Sequence, residues 1–198
     1  MASAGGVEVR PVTPGRWKDL VQLFGEERGA YGGCWCMYFR LPSSEFHEGA
    51  RDHGRENRAA MQSIVRKGRT PGLLAYLDGR PVGWVSVAPR EEFGKIERAR
   101  STKPIDDRPA WSIVCFYIDR HHRGDGVGTA LLRAAVDHAR ENGARLVEGY
   151  PVDPRRGRIP NADAYYGLVS MFEGAGFREV ERRTPSRPIM RRALRPRS

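Results

Sequence analysis

Phe116-Tyr117-Ile118-Asp119-Arg120-His121-His122-Arg123-Gly124-Asp125-Gly126-Val127-Gly128-Thr129 is the stretch on which the fold turns. It begins inside an apolar run rich in β-formers, Trp111 to Ile118, which reads as a buried strand. A short turn follows, and then glycines open a helix from Val127 to Asn142. Leu131, Leu132, Ala135, Val136 and Ala139 share one face of that helix, and Gly143 supplies its stop. The first N–H groups of a helix have no internal partner and sit at the positive end of its dipole. Glycines at 124, 126 and 128 remove side chains that would keep an anion from the backbone. Arg123 to Thr129 (Arg123, Gly124, Asp125, Gly126, Val127, Gly128 and Thr129) therefore reads as a pyrophosphate cradle, to which Arg123 adds a charge-assisted bond. It is not a Walker loop, because no Gly-Lys-Ser/Thr follows. Nor is it the dinucleotide fingerprint, since its glycines run G-x-G-x-G and the strand lies in mid-chain.

Outward from this stretch the chain alternates strands and helices. Val7 to Val12 reads as a first strand, and Thr13-Pro14 opens a helix whose apolar face is Trp17, Leu20, Val21 and Phe24. After Gly29, Gly32 and Gly33 comes Cys34-Trp35-Cys36-Met37, an aromatic-rich connection. Ser43 or Ser44 caps a second helix to about Val65. Leu73 to Leu77 and Val82 to Val87 form a hairpin through Asp78-Gly79, a type I′ turn pair. Arg90 to Ala99 is ambiguous, and Lys103 to Pro109 reads as a loop. Beyond the central helix, Leu146 to Tyr150 is a strand and Pro151 to Pro160 a loop. Asn161 or Asp163 caps a helix with the stripe Tyr165, Leu168, Val169 and Phe172. Phe177 to Arg183 and Pro188 to Leu194 are two last strands. The order β-α-α-β-β-β-α-β-α-β-β predicts an α/β fold with a mixed sheet and helices on both faces.

At 198 residues, 39% hydrophobic and 29% charged, the chain has the make-up of one globular domain. The expected organisation is a flexible terminus over 1–6, a single domain over 7–194, and a basic end over 195–198. No apolar run reaches the roughly 20 residues that span a bilayer, and no secretory signal is visible, so a soluble cytoplasmic protein is expected. Three cysteines make no disulfide framework. The formal net charge of +10 favours a polyanionic partner or a phosphate-rich cofactor. The arginines from Arg182 to Arg197 read as a solvated basic tail rather than a nucleic-acid site, because no zinc-finger spacing or RNP-like motif accompanies them.

Arg-x-x-Gly-x-Gly after a strand resembles the acetyl-CoA motif of the GNAT N-acetyltransferase superfamily. The Asp-Gly hairpin ahead of it, and Gly176-Phe177 closing a later helix after Ser170-Met171-Phe172-Glu173, match that family's order over about Val7 to Leu194. The resemblance implies a mostly antiparallel sheet in which two parallel strands, here Trp111–Ile118 and Leu146–Tyr150, splay apart around the pantetheine arm. By position Phe116 and Ile118 would bond that arm through their backbones, as to an added strand, and Arg123 to Thr129 would hold the pyrophosphate. The implied activity is direct transfer of an acetyl group from acetyl-CoA to a primary amine, most simply of a small molecule. A protein lysine or N-terminus is an alternative acceptor. A non-catalytic CoA-binding module is the alternative from another class. No membrane or nucleic-acid partner is expected; a homodimer is left open.

Acetyl transfer needs an uncharged amine, a donor for the thioester oxygen and an acid for the leaving thiolate. A backbone N–H near Ile118 suits the second. Many similar proteins carry a tyrosine acid five residues before the Gly-Phe aromatic, where this chain has Phe172. Tyr165 is then the candidate acid, or else a packed aromatic. Many also carry a carboxylate on the strand before the motif, and this strand has none. Glu148, on the next strand, is the candidate to hold the ammonium or relay its proton, the alternative being an outward side chain. The Cys34–Met37 region lines the acceptor pocket in similar proteins, with Trp35, Tyr38 and Phe39 as an aromatic wall. The C-x-C spacing is too tight for the usual zinc sites, and no metal is expected.

Overall fold

A computed structural model describes residues 6–156 and 165–195. Seven strands form one sheet in the order β1-β2-β3-β4-β5-β7-β6. They are β1 (Glu8–Pro11), β2 (Gly72–Leu77), β3 (Arg80–Pro89), β4 (Trp111–Ile118), β5 (Leu146–Gly149), β6 (Arg178–Thr184) and β7 (Arg187–Ala193). The helices are α1 (Trp17–Phe24), α2 (Ser43–Gly49), α3 (Arg55–Arg66), α4 (Gly94–Arg98), α5 (Val127–Glu141) and α6 (Val169–Gly174). Every neighbouring pair of strands is antiparallel except β4–β5. The hairpin between β2 and β3 turns through Asp78 and Gly79 at φ +48° and +75°, the two positive values a type I′ turn requires.

α5 and α6 cover one face. Leu131, Leu132, Ala135, Val136 and Ala139 pack there on Val85, Ile113, Phe116 and Phe172. The other face has two parts. Over β2 and β3, Leu20, Phe24, Trp35 and Met61 close on Leu74 and Trp84. Over β4, β5 and β7, Phe39, Phe93 and Ile96 close on Val114, Tyr150 and Ile189.

Three expectations are corrected and one ambiguous segment is resolved. The second helix is broken into α2 and α3, because Gly54 at φ +77° lies so close to Gly33 that a Cβ there would overlap the Gly33 carbonyl. Arg90–Ala99 becomes a short 3₁₀ turn and α4. The last helix begins only at Val169: Gly167 is left-handed and Leu168 extended, so Tyr165 stands outside that helix, and Leu168 is exposed rather than part of its buried stripe. The caps assigned to Asn161 or Asp163 lie outside the described residues. Finally, three of the arginines expected in a solvated tail are tied into the fold instead. Arg182 pairs with Glu179 and Asp153, Arg192 donates to Ala175 O, and Arg191 is buried.

Candidate functional site: a gap between parallel strands

β4 is eight residues long, yet β5 pairs only with its start: Trp111 with Val147, Ser112 with Glu148, and Ile113 with Gly149. Among the described residues no strand pairs with Val114–Ile118 on that side. The parting begins at a β-bulge. Cys115 lies opposite Ser86 and Ile113 opposite Val87, so Val114 is an extra residue, and the added local twist turns the strand away from β5. The bulge also shifts the side-chain phase, which is why Ile113 and Phe116 both reach the α5 face while Val114 and Cys115 turn to the other.

The free edge of β4 follows from register. Ile118 is opposite Gly83, and the next N–H, of Asp119, donates to Val82 O at 2.9 Å. That makes Ile118–Gly83 a non-hydrogen-bonded pair, and Phe116–Val85 another. The backbone groups of Phe116 and Ile118 therefore turn from β3 toward the gap. The Ile118 carbonyl accepts from Arg123 Nε at 3.4 Å.

At the end of this edge Asp119 caps a 3₁₀ turn by accepting from the His121 N–H. Gly124 (φ +96°) and Gly126 (φ +78°) then carry the chain into α5. Ala130 N–H is the first to find a helical acceptor, Gly126 O, leaving the N–H groups of Val127, Gly128 and Thr129 directed outward. A Cβ on Gly124 or Gly126 would meet nothing within 4 Å, so this backbone faces open space. Gly128 differs. Its Cβ would lie 3.2 Å from Ile118 Cδ1 and 3.3 Å from Met171 Sδ. It serves the packing of α5 on β4 and α6, not clearance for an anion.

Where the strands part, Gly149 admits the Phe172 ring, which a Cβ would overlap. Phe172 is fully buried against Phe116 and Phe177 and offers no hydroxyl. Tyr165 lies on the opposite face, stacked on Tyr166 at 4.3 Å and set against Tyr38 and Phe39. This aromatic group belongs to the same hydrophobic cluster as Val114 and Cys115, the β4 residues where pairing with β5 stops. Burial, then the neighbouring Tyr166, raises the Tyr165 pKa and keeps its hydroxyl protonated.

Glu148 is buried and its carboxylate is occupied. Oε1 accepts from Arg191 Nε at 2.6 Å, Oε2 from the Tyr150 hydroxyl at 2.9 Å, and Arg90 Nη1 stands 3.4 Å from both. Arg191 bridges onward to Asp106, tying the segment before β4 to β7. Glu148 is thus neither an outward side chain nor a carboxylate open to an amine. Sequence reasoning missed Arg90, Arg191 and Tyr150. The one available signal was an acid on an apolar strand, which calls for cations without saying which.

Residues 34–37 back β4 on this face. Trp35 is fully buried and stacks on Trp17, while Cys36 Sγ approaches Cys115 Sγ at 3.6 Å. Among the described residues no group of three or more His, Cys, Asp or Glu could hold a metal, and no helix is long and apolar enough to cross a membrane. An open cleft outside α1, between Trp17, Glu26 and Arg58, includes no residue of β4, β5 or α5.

A free strand edge running into a glycine-lined helix N-terminus is the arrangement that the sequence resemblance implies, and comparison with known proteins bears on the fold and the family. A protein of Methanocaldococcus jannaschii described as an uncharacterized N-acetyltransferase is 24% identical over 118 residues, 60% of this chain; the match spans only 43% of that relative. The fold is shared with the PaiA N-acetyltransferase of Thermoplasma acidophilum in complex with coenzyme A, at TM-score 0.52 and 15% identity, over 96% of this chain and 99% of that one. It is shared also with a ribosomal-protein-alanine N-acetyltransferase of Brucella melitensis, at TM-score 0.54 and 18% identity, over 94% and 99%. The sequence profile of the acetyltransferase (GNAT) family matches residues 35–155, more than half the chain, and the protein belongs to that family.

Proposed function

We propose that the chain is an acetyl-CoA-dependent N-acetyltransferase acting on a primary amine of a small molecule. The observation that carries this reading is the unpaired edge of β4, which ends at the outward N–H groups of α5. Pantetheine would add to that edge as a strand does, bonding the backbones of Phe116 and Ile118. Its pyrophosphate would lie on Arg123 to Thr129, where N–H groups and the helix dipole favour negative charge. This sets the acetyl thioester toward the closed end of the gap, beside Val114 and Cys115.

The reaction then needs little side-chain chemistry. As the thioester oxygen gains charge, an N–H of the same edge can hold it, that of Phe116 lying nearer the closed end than that of Ile118. Tyr165 is our candidate to hydrogen-bond the departing thiolate, because its protonated hydroxyl belongs to the group packed at that end. Glu148 we assign a positioning role: it fixes β5 against β7 through Arg191 and sets the width at which the gap opens. The acceptor would enter past Tyr38, Phe39, Tyr165 and Tyr166, with Lys95 over Tyr38 and Arg187 over Tyr166. That crowded aromatic wall favours a compact amine over a peptide.

The test is thermal unfolding with and without acetyl-CoA, followed by a thiol-release screen of amines and peptides. Stabilisation by acetyl-CoA with CoA release on small amines is expected. Release only on peptides would assign a protein acceptor. Stabilisation without an acceptor would leave a binding module, and no stabilisation would remove the reading.

A further inference from the structure

Three thiols, Cys34, Cys36 and Cys115, have no part in the proposed transfer, and all are free. Cys36 and Cys115, 79 residues apart in the chain, bring their sulfurs to 3.6 Å. Cys34, two residues before Cys36, donates its thiol to Gly29 O at 3.4 Å. Cys34 and Cys115 are both half-buried and Cys36, between them in the cluster, is buried, with Cys115 beside the β4 bulge.

Their chemistry is graded across the cluster. The hydrogen bond from the Cys36 side chain lowers the Cys34 pKa most; burial opposes it; backbone N–H groups of Cys36, Tyr31 and Cys34 itself lower it further, to about 6. Burial, then Cys115, pushes Cys36 up. The group most readily present as a thiolate, Cys34, is the one that starts such an exchange, and each later attack requires its thiol to give up a proton. A covalent bond requires about 2.05 Å between sulfurs. The approach falls on a segment outside regular secondary structure, with Trp35 at φ +41° and Cys36 at φ +54°.

We propose that Cys34, Cys36 and Cys115 form an oxidisable thiol relay, in which a hydroperoxide reacts at Cys34 and the product is a reversible disulfide between Cys36 and Cys115. The Cys34 thiolate attacks the peroxide, breaking its O–O bond to give a Cys34 sulfenic acid and an alcohol. Cys36 displaces water from that sulfenic acid, forming a Cys34–Cys36 disulfide. Cys115 then attacks the Cys36 sulfur, losing its proton to solvent in place of the one taken up with the alcohol, and releases Cys34 as a thiolate. In balance, two thiols and one hydroperoxide become one disulfide, one alcohol and one water. The bond would fasten the acceptor-side segment to β4 where the gap closes. Only that consequence rests on the proposed acetyl transfer; the thiol chemistry does not.

The full chain, reduced and then treated with hydrogen peroxide, is quenched with an alkylating reagent and mapped by peptide mass spectrometry. The expected product is a Cys36–Cys115 linkage with Cys34 alkylated, restored to three alkylated thiols by dithiothreitol. Cys34→Ser should slow formation of the linkage by about 10-fold or more without changing its identity, because the accessible thiolate is gone. Cys115→Ser should stop the reaction at Cys34–Cys36. Three alkylated thiols after treatment, Cys34 found only as sulfinic or sulfonic acid, cross-linking between chains, or an unchanged rate in Cys34→Ser would each overturn the relay. Wild-type mapping decides the matter even if a variant fails to fold. An acetyl-CoA melting shift on the reduced protein is run alongside: its loss with a positive thiol map refutes the acetyl-transfer reading alone.

Discussion

Gly126 and Gly128 stand two residues apart in the same motif, and replacing each by alanine should have unlike effects. Gly126 is left-handed at φ +78°, a conformation that costs an ordinary residue about 1–2 kcal/mol. For a chain of this size each kcal/mol moves Tm by about 2–4 °C, so Gly126→Ala should lower Tm by about 2–8 °C. Gly128 lies in the first turn of α5, where alanine gains up to about 1 kcal/mol of helix propensity. Its Cβ meets Ile118 Cδ1 at 3.2 Å and Met171 Sδ at 3.3 Å. Both are ends of flexible side chains that can yield a few tenths of an ångström, so Gly128→Ala should change Tm little.

The ligand separates them further. Acetyl-CoA at 100 times its Kd stabilises a protein by about 2.7 kcal/mol, or about 5–11 °C here. The new Cβ of Gly126→Ala stands in the open space before the helix N-terminus, where the pyrophosphate would approach. The melting shift should be lost or much reduced. In Gly128→Ala the Cβ points into protein, and the shift should remain. Differential scanning calorimetry with titrated acetyl-CoA reads both quantities from one sample. A full ligand shift in Gly126→Ala, or its loss in a folded Gly128→Ala, would refute this placement of the cradle.

Tyr165→Phe keeps the ring against Phe39 and removes the hydroxyl; turnover on a proven acceptor should fall about 10²-fold with CoA affinity unchanged, and unchanged turnover would remove Tyr165 from the chemistry. Arg191→Met leaves Glu148 buried with one of its cations gone and should cost about 3–5 kcal/mol, whereas Glu148→Gln combined with Arg191→Met should recover part of that loss in calorimetry. Hydrogen bonds from Arg191, then Arg108, hold the Asp106 carboxyl well below the usual range. Its contribution is complete above the unfolded pKa of about 4 and declines as pH falls toward the depressed folded value. The Tm difference between wild type and Asp106→Asn should accordingly be constant above about pH 5 and narrow below about pH 4; a gap that widens in acid would contradict the pairing.

The proposed CoA side of this molecule is a local object, and local objects are legible. Strand, turn and helix from Trp111 to Glu141 follow one another without interruption, each marked by composition: β-formers, then glycines, then a 3.6-residue apolar stripe. The Asp78-Gly79 hairpin was equally plain, since its two positive φ values are a property of the turn itself. Errors arose where contact across the fold overrode a local pattern. Residues 43–65 carry a cap signal at one end and an apolar stripe at the other around a polar middle, yet Gly54 must meet Gly33, and the helix breaks there. The stripe through Tyr165, Leu168 and Phe172 was periodic, but Gly167 takes a left-handed φ and starts the helix two residues later.

The proposed acceptor side is assembled from distant pieces, and Glu148 illustrates what that costs a sequence reader. An acid on a buried strand must be satisfied, which is a sound inference; whether by a substrate's ammonium or by the protein's own cations depends on partners the spacing does not display. Arg191 lies 43 residues after it and Arg90 58 before, and each reads in isolation as surface charge. Once β7 lies beside β5, register alone sets Arg191 opposite Glu148, and the guanidinium has little choice but to pair. The same register joins Asp106 to this network through Arg191, so the loop before β4, the strand that parts from β4 and the C-terminal hairpin are held as one unit around the gap. If the reaction is chiefly one of positioning, as the absence of a carboxylate on β4 and the phenyl ring of Phe172 both suggest, then these buried ion pairs support it without touching substrate. Their removal should then appear first in stability and acceptor KM, and only afterwards in the chemical step.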